Sequence, residues 1–222
     1  MSTNENTEEE TGPAQFTDNE VFTLIWTKPR EVFRYIHEYH YDKYMYVLIF
    51  LASVVNALQR ASTNNLGANN SLTFVLVVTI TVGGIIGVVM YYVYASISSF
   101  AGKLLGGKAK AHTLLRVYAY SAIPLVCTLP ITAIQIVLFG NDLFNGELEL
   151  DNYDVVSRSA YFISIIIELT LAIWSCCLAI VGTSEVQKFS IGRALGNALL
   201  AGLILVAGLI LIIMPFMILK AI

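Results

Sequence analysis

"SIIIELTLAIWSC", residues 164–176, sets one carboxylate, Glu168, in a run of Ile, Leu, Ala and Trp. In a soluble core such a group needs a buried partner; in lipid it is expensive and therefore rare. The run extends through 161–181 with no second charge, about the twenty residues that a membrane span requires. Four further apolar runs accompany it, at 44–58, 72–101, 114–139 and 194–219, separated by polar joints. Across 222 residues the chain is 56% hydrophobic and only 13% charged. A soluble domain carries about 25% charged residues, so charge is halved while apolar content rises. The expected fold class is all-α: a polytopic membrane protein of five transmembrane helices, with Glu168 at bilayer depth.

The first run is short for a span, the second is long enough to tilt or protrude, and the third contains Pro124 and Pro130, which should kink it. Ahead of them, residues 1–20 are acidic and contain no basic side chain, the composition of a disordered tail. Residues 21–43 place Val32, Phe33, Ile36 and Tyr39 at helical spacing, with Arg30, Glu31, Arg34, His37 and Glu38 on the other side. Thr27 is the expected N-cap and Pro29 lies in the first turn. With Trp26 and several tyrosines around it, this segment is expected to be an amphipathic helix in the headgroup layer. A helix packed on another part of the protein is the alternative. Residues 44–222 form the five-span domain.

Lys and Arg in the joints give an orientation. Before the first span stand Lys28, Arg30, Arg34 and Lys43; after the second come Lys103, Lys108, Lys110 and Arg116; after the fourth come Lys188 and Arg193. The other side holds Arg60, Arg158 and Lys220. The positive-inside rule then puts the N-terminus in the cytoplasm and the C-terminus outside. The joint at 140–160 faces outward; it is acidic and matches no calcium-binding loop.

Three stretches in order resemble the Yip family, the Ypt-interacting multispanning membrane proteins. "IWTKPREVFRYI" (25–36) is similar to the family's aromatic-x-x-Pro lead-in. "YAYSAIPLV" (118–126) resembles its Gly-Tyr-x-x-x-Pro signature, with Ala119 for Gly, then Tyr120 and Pro124. "IWSCCLAIVGTSEVQKFSIGRAL" (173–195) resembles Trp-x-x-x-Leu-x-x-x-Gly, a polar joint and the start of the last span. The resemblance implies a five-span bundle. In eukaryotes it implies a role in vesicle traffic between endoplasmic reticulum and Golgi with Rab-type GTPases; some bacterial members accompany transport systems. The intact Asp-Leu-Tyr-Gly-Pro motif does not occur in the lead-in, and the longer cytosolic region is not expected. The expectation is therefore a bacterial inner membrane, with an endoplasmic reticulum or Golgi membrane as the alternative.

No constellation for catalysis stands out. His37, His40 and His112 lie in joints or the interfacial segment, "HEYH" (37–40) lacks the zincin spacing, and Glu168 is the only carboxylate in a span. "GKLLGGKAKA" (102–111) lacks the P-loop order and is expected to be a flexible joint whose lysines lie near anionic headgroups. No metal or cofactor is expected, and a net charge of −3 without a basic stripe gives no reason to expect nucleic acid. Cys127, Cys176 and Cys177 are expected to be small packing residues.

Candidate binding residues are Glu168, Tyr120, Pro124, Arg30, Arg34, Lys103, Lys108 and Lys110. A neutral Glu168 can donate to Thr128, Thr132 or Tyr91, or it can serve a proton or ion. Pro124 frees the carbonyl of Tyr120 and opens the helix there. Gly83 with Gly87, Gly102 with Gly106, and Gly192 with Gly196 are GxxxG pairs, which serve either close packing within the bundle or a homo-oligomer seam. The expected function is a non-enzymatic scaffold or adaptor, with lipid and other membrane proteins as partners. The alternative is a transporter or channel component that uses Glu168 and the Pro124 kink.

Overall fold

The structure, a computed structural model, describes residues 16–146 and 148–221, with backbone alone at 212, 213 and 215–221. Its helices are α1 (Asp18–Leu24), α2 (Pro29–Glu38), α3 (Met45–Thr63), α4 (Leu72–Val78), α5 (Gly84–Leu104), α6 (Ala111–Ser121), α7 (Ile123–Val126), α8 (Leu129–Phe139), α9 (Val155–Gln187) and α10 (Ile191–Ala221). A π turn, Thr79–Gly83, joins α4 to α5 without ending the helix. Five units are long and apolar enough to cross a membrane: Met45–Thr63, Leu72–Leu104, Ile123–Phe144, Val155–Gln187 and Ile191–Leu211. The all-α, five-span reading therefore holds. Ile85, Ile86, Val89, Ile163, Ile166, Leu169, Leu199 and Leu203 all point outward. Water would not tolerate so broad an apolar surface, whereas bilayer hydrocarbon solvates it.

Crossings alternate between a proximal end, which carries α1 and α2, and a distal end. Distally, the Ser62 hydroxyl donates to the carbonyl of Leu143 at 2.6 Å, and Asn141 Nδ2 donates to the carbonyl of Gly67 at 2.9 Å. Buried side chains concentrate proximally, where Val21, Ile25, Val32, Phe33 and Ile36 join Met45, Ile49, Leu114, Leu115 and Tyr120 in one cluster. A smaller distal cluster holds Val54, Leu58, Val75 and Phe144.

Four expectations change. Residues 1–15 of the acidic tail lie outside the described residues, and Asp18–Leu24 is already helical because Glu20 reaches back to the Thr17 N–H at 2.7 Å. The second helix begins at Pro29 with Lys28, not Thr27, as its N-cap. It is amphipathic as read, but Val32, Phe33 and Ile36 are buried against the bundle. Its apolar face is taken up by protein rather than by headgroups, because α6 and the end of α9 supply a matching apolar surface. The third run does not form one kinked span. It breaks at Ala122, and α6 is enclosed by neighbouring helices from Leu114 to Ser121. Pro124, in the first turn of α7, lies at this break, and Pro130, in the first turn of α8, lies at a second one after Val126. The carbonyl of Ser121 at the first break accepts a hydrogen bond from Ser175 of α9 at 2.7 Å.

Cys127, Cys176 and Cys177 are exposed on the outside of the bundle rather than packed within it. The glycines divide in two. A Cβ on Gly83 would come within 2.6 Å of Ala57 Cβ, and one on Gly87 within 2.4 Å of Ser53 Cβ, so this pair lets α5 approach α3. A Cβ on Gly192 or Gly196 would meet nothing within 4 Å.

Candidate functional site

The proximal end is braced by ion pairs that span long stretches of sequence. Asp18, in the first turn of α1, accepts from the Lys43 ammonium and from the Tyr41 and Tyr44 hydroxyls. The Lys43 hydrogen bond, then those from the two tyrosines, hold the Asp18 carboxyl down at about 2 instead of the ordinary 3.8. The folded value lies below the unfolded one. The stabilisation is therefore complete above 3.8 and is lost as pH falls through about 2. Trp26 packs partly buried on the proximal hydrophobic cluster to which Val21 of α1 belongs, so its emission is expected to shift red across that window. Asp18→Asn should shift it already at neutral pH and remove the transition. A variant with wild-type emission at neutral pH contradicts the latch.

Behind the latch, Arg116 is 6% exposed and donates to Asp42 through Nε and through Nη2, the latter at 3.0 Å. The bidentate fork matches a carboxylate and draws the start of α3 onto α6. Arg116 holds the Asp42 carboxyl below its ordinary range. On the next face, Arg34 of α2 donates to Glu185 of α9 at 3.0 Å, and Lys188 approaches the same oxygen at 3.5 Å. His37 is held below its ordinary value, first by burial and then by Lys188, which keeps its ring neutral at pH 7.

The joint between α5 and α6 is pinned rather than loose. Gln187 Oε1 accepts the N–H of Ala109 at 2.9 Å, and the Ser99 hydroxyl donates to the Ala109 carbonyl at 2.9 Å. A Cβ on Gly102 or Gly107 would come within 2.1 or 2.2 Å of the Gln187 amide, which is why glycine stands at both positions. Deeper, Ser98 bonds Tyr118 at 2.6 Å and accepts from Asn197 at 3.0 Å, tying α5, α6 and α10 together.

The predicted residues separate into three groups. Arg30, Lys103, Lys108 and Lys110 are exposed at the proximal end with no ion pair among the described residues. Arg34 shares that end but is engaged by Glu185. Tyr120 and Pro124 are buried: the Tyr120 hydroxyl accepts the Tyr44 N–H at 3.4 Å, and its ring lies 5.8 Å from that of Tyr41. Glu168 stands apart at bilayer depth. Thr128 and Thr132 donate to their own helix backbone, and Tyr91 stands beside Asn56, so the three expected partners do not serve it. Gln135 of α8 stands beside it instead and donates to Ser164, one helical turn from Glu168, at 2.6 Å. Glu168 Oε1 is buried without a hydrogen-bond partner. Among the described residues no cluster of His, Cys, Asp or Glu is arranged to hold a metal.

Sequence reasoning missed Asp42 with Arg116, Glu185 and Gln187. Arg116 was counted as a joint cation. Its signal was position: it stands next to the apolar pair Leu114 and Leu115, four residues before Tyr120.

A braced polar layer at one end of five apolar crossings defines an integral, multispanning α-helical membrane protein. The family model for the Yip1 domain matches residues 23–213, and the chain belongs to that family. No curated protein and no solved structure matched it.

Proposed function

We propose that the protein is a non-enzymatic membrane scaffold or adaptor whose proximal face binds other membrane proteins. One observation carries this reading. Arg30, Lys103, Lys108 and Lys110 are exposed without ion pairs among the described residues, on a face braced by Asp42 with Arg116, Arg34 with Glu185, and the Gln187 clasp. Exposed cations on a braced face suit an acidic partner surface and set its orientation. Family membership supports a membrane-protein partner. The excess of Lys and Arg at this end supports a cytoplasmic N-terminus and an outward C-terminus, and we place the protein in a bacterial inner membrane.

A photo-crosslinker at position 108, in native membranes, is expected to capture one reproducible partner. The adduct should weaken when Lys103 and Lys110 become Ser, and a crosslinker at position 152, at the distal end, should not capture it. An adduct of twice the chain's mass would identify a second copy as that partner. Glu168, with its unpartnered oxygen beside Gln135 and Ser164, supports the rival transporter reading. Proton-dependent flux in liposomes that disappears in Glu168→Gln, with no adduct at 108, overturns the adaptor.

A further inference from the structure

Between α3 and the α4–α5 crossing lies a cavity of about 540 Å³, lined by Ala57, Val82, Gly83, Ile86 and Met90 and bounded by Leu205 of α10. Val82 and Ile86 are also half exposed on the outer surface, so the cavity opens sideways to the bilayer. Its lining runs from Val78 to Tyr94 along the second crossing. At the helical rise this is about 24 Å, longer than one leaflet of a hydrocarbon core about 30 Å thick.

Three polar residues on its wall donate to carbonyls of their own helices. Ser53 donates to the carbonyl of Ile49 at 2.7 Å, Thr79 to that of Val75 at 2.5 Å, and Asn56 to that of Ala52 at 2.9 Å. What they leave facing the cavity is largely hydrocarbon. Asn64, Tyr91 and Tyr94 add polar groups to the lining, and Arg60, toward the distal end, is the one charged residue among the described residues that line it. Among the described residues the distal acids have other partners: Asp142 accepts from Tyr153, Glu149 from Asn152, and Asp154 caps α9, while Asp151 pairs with Arg158. Arg60 has no ion pair among the described residues.

We infer that this groove is a phospholipid site: one acyl chain lies between α3 and α5, and the lipid phosphate docks on the Arg60 guanidinium. An apolar groove open to lipid selects a chain, and a planar guanidinium at its mouth selects a phosphate. The π turn at Thr79–Gly83 lies along the groove wall and changes the helical register there.

Native mass spectrometry of the detergent-purified chain, with added phosphatidylglycerol, tests the site. One lipid per chain is expected to be retained. Arg60→Gln should lower retention about fivefold, the worth of one cation near a lipid surface. Arg158→Gln, the other distal arginine, should leave it unchanged. Ile86→Trp, at a half-exposed position on the wall, should abolish retention while the melting curve stays that of the wild type. Wild-type retention in both Arg60→Gln and Ile86→Trp overturns the site. Equal retention of diacylglycerol overturns the role of the phosphate, and a second copy of the chain held in place of lipid overturns the occupant.

Discussion

Asp42→Ala is expected to lower stability in detergent by about 3 kcal/mol, because it leaves the Arg116 guanidinium enclosed with no counter-charge. The Arg116 side chain is 7% exposed and that of Asp42 is 39% exposed, and this asymmetry sets the order of effects. Arg116→Leu removes the enclosed charge and leaves a carboxylate that water reaches, so it should cost about 1 kcal/mol. The double variant should return close to wild type, since an apolar replacement of a buried pair is often neutral. For a chain of this size, the first loss corresponds to a melting temperature lower by about 6 °C or more. Thermal unfolding followed by Trp emission reads all three variants. If both single variants lose less than about 1 kcal/mol, the pair is worth no more than a surface bridge and the proximal core is not built on it.

Gly87→Leu should be comparably damaging. A Cβ alone would sit 2.4 Å from Ser53 Cβ and 3.1 Å from Ser53 Cα, so α3 itself must move. Overpacking of this kind costs about 3 kcal/mol. It also parts the two crossings that wall the lateral groove. Gly196→Leu is the matched control. Nothing lies within 4 Å of a Cβ there, and replacing a helical glycine gains up to about 1 kcal/mol of propensity. Melting temperatures of the two variants should move in opposite directions. Equal losses would mean that the α10 glycines also line a helix contact, which returns them to the oligomer-seam reading.

Membrane crossings were legible because their signal is additive: each run needs only length and the absence of charge. The ends were less legible. α3 continues to Thr63, past Gln59 and Arg60, because polar residues at a helix end project into the headgroup layer without breaking the helix. The break at Ala122 could be read as a kink from Pro124 but not as a separation, because what separates α6 is its enclosure by four other helices, a tertiary fact. The same limit applies to α2. Its periodicity gives an apolar face, yet headgroup and protein present similar partners to Val32, Phe33 and Ile36. The cations Arg30, Lys103, Lys108 and Lys110 were found as a group because joints on one side share one fate. Arg116 escaped the same reasoning because its partner, Asp42, lies in a different joint far away in sequence.

The five crossings bring α2, the 102–111 joint and the α9–α10 joint to one face. Single cysteines placed at 30, 108, 188, 64 and 152, in a chain with Cys127, Cys176 and Cys177 replaced by Ala, test it with an impermeant maleimide on sealed vesicles of one orientation. Positions 30, 108 and 188 are expected to label together from one side, and 64 and 152 only from the other. Labelling of 30 and 108 from opposite sides, or of 64 and 152 from opposite sides, would contradict it.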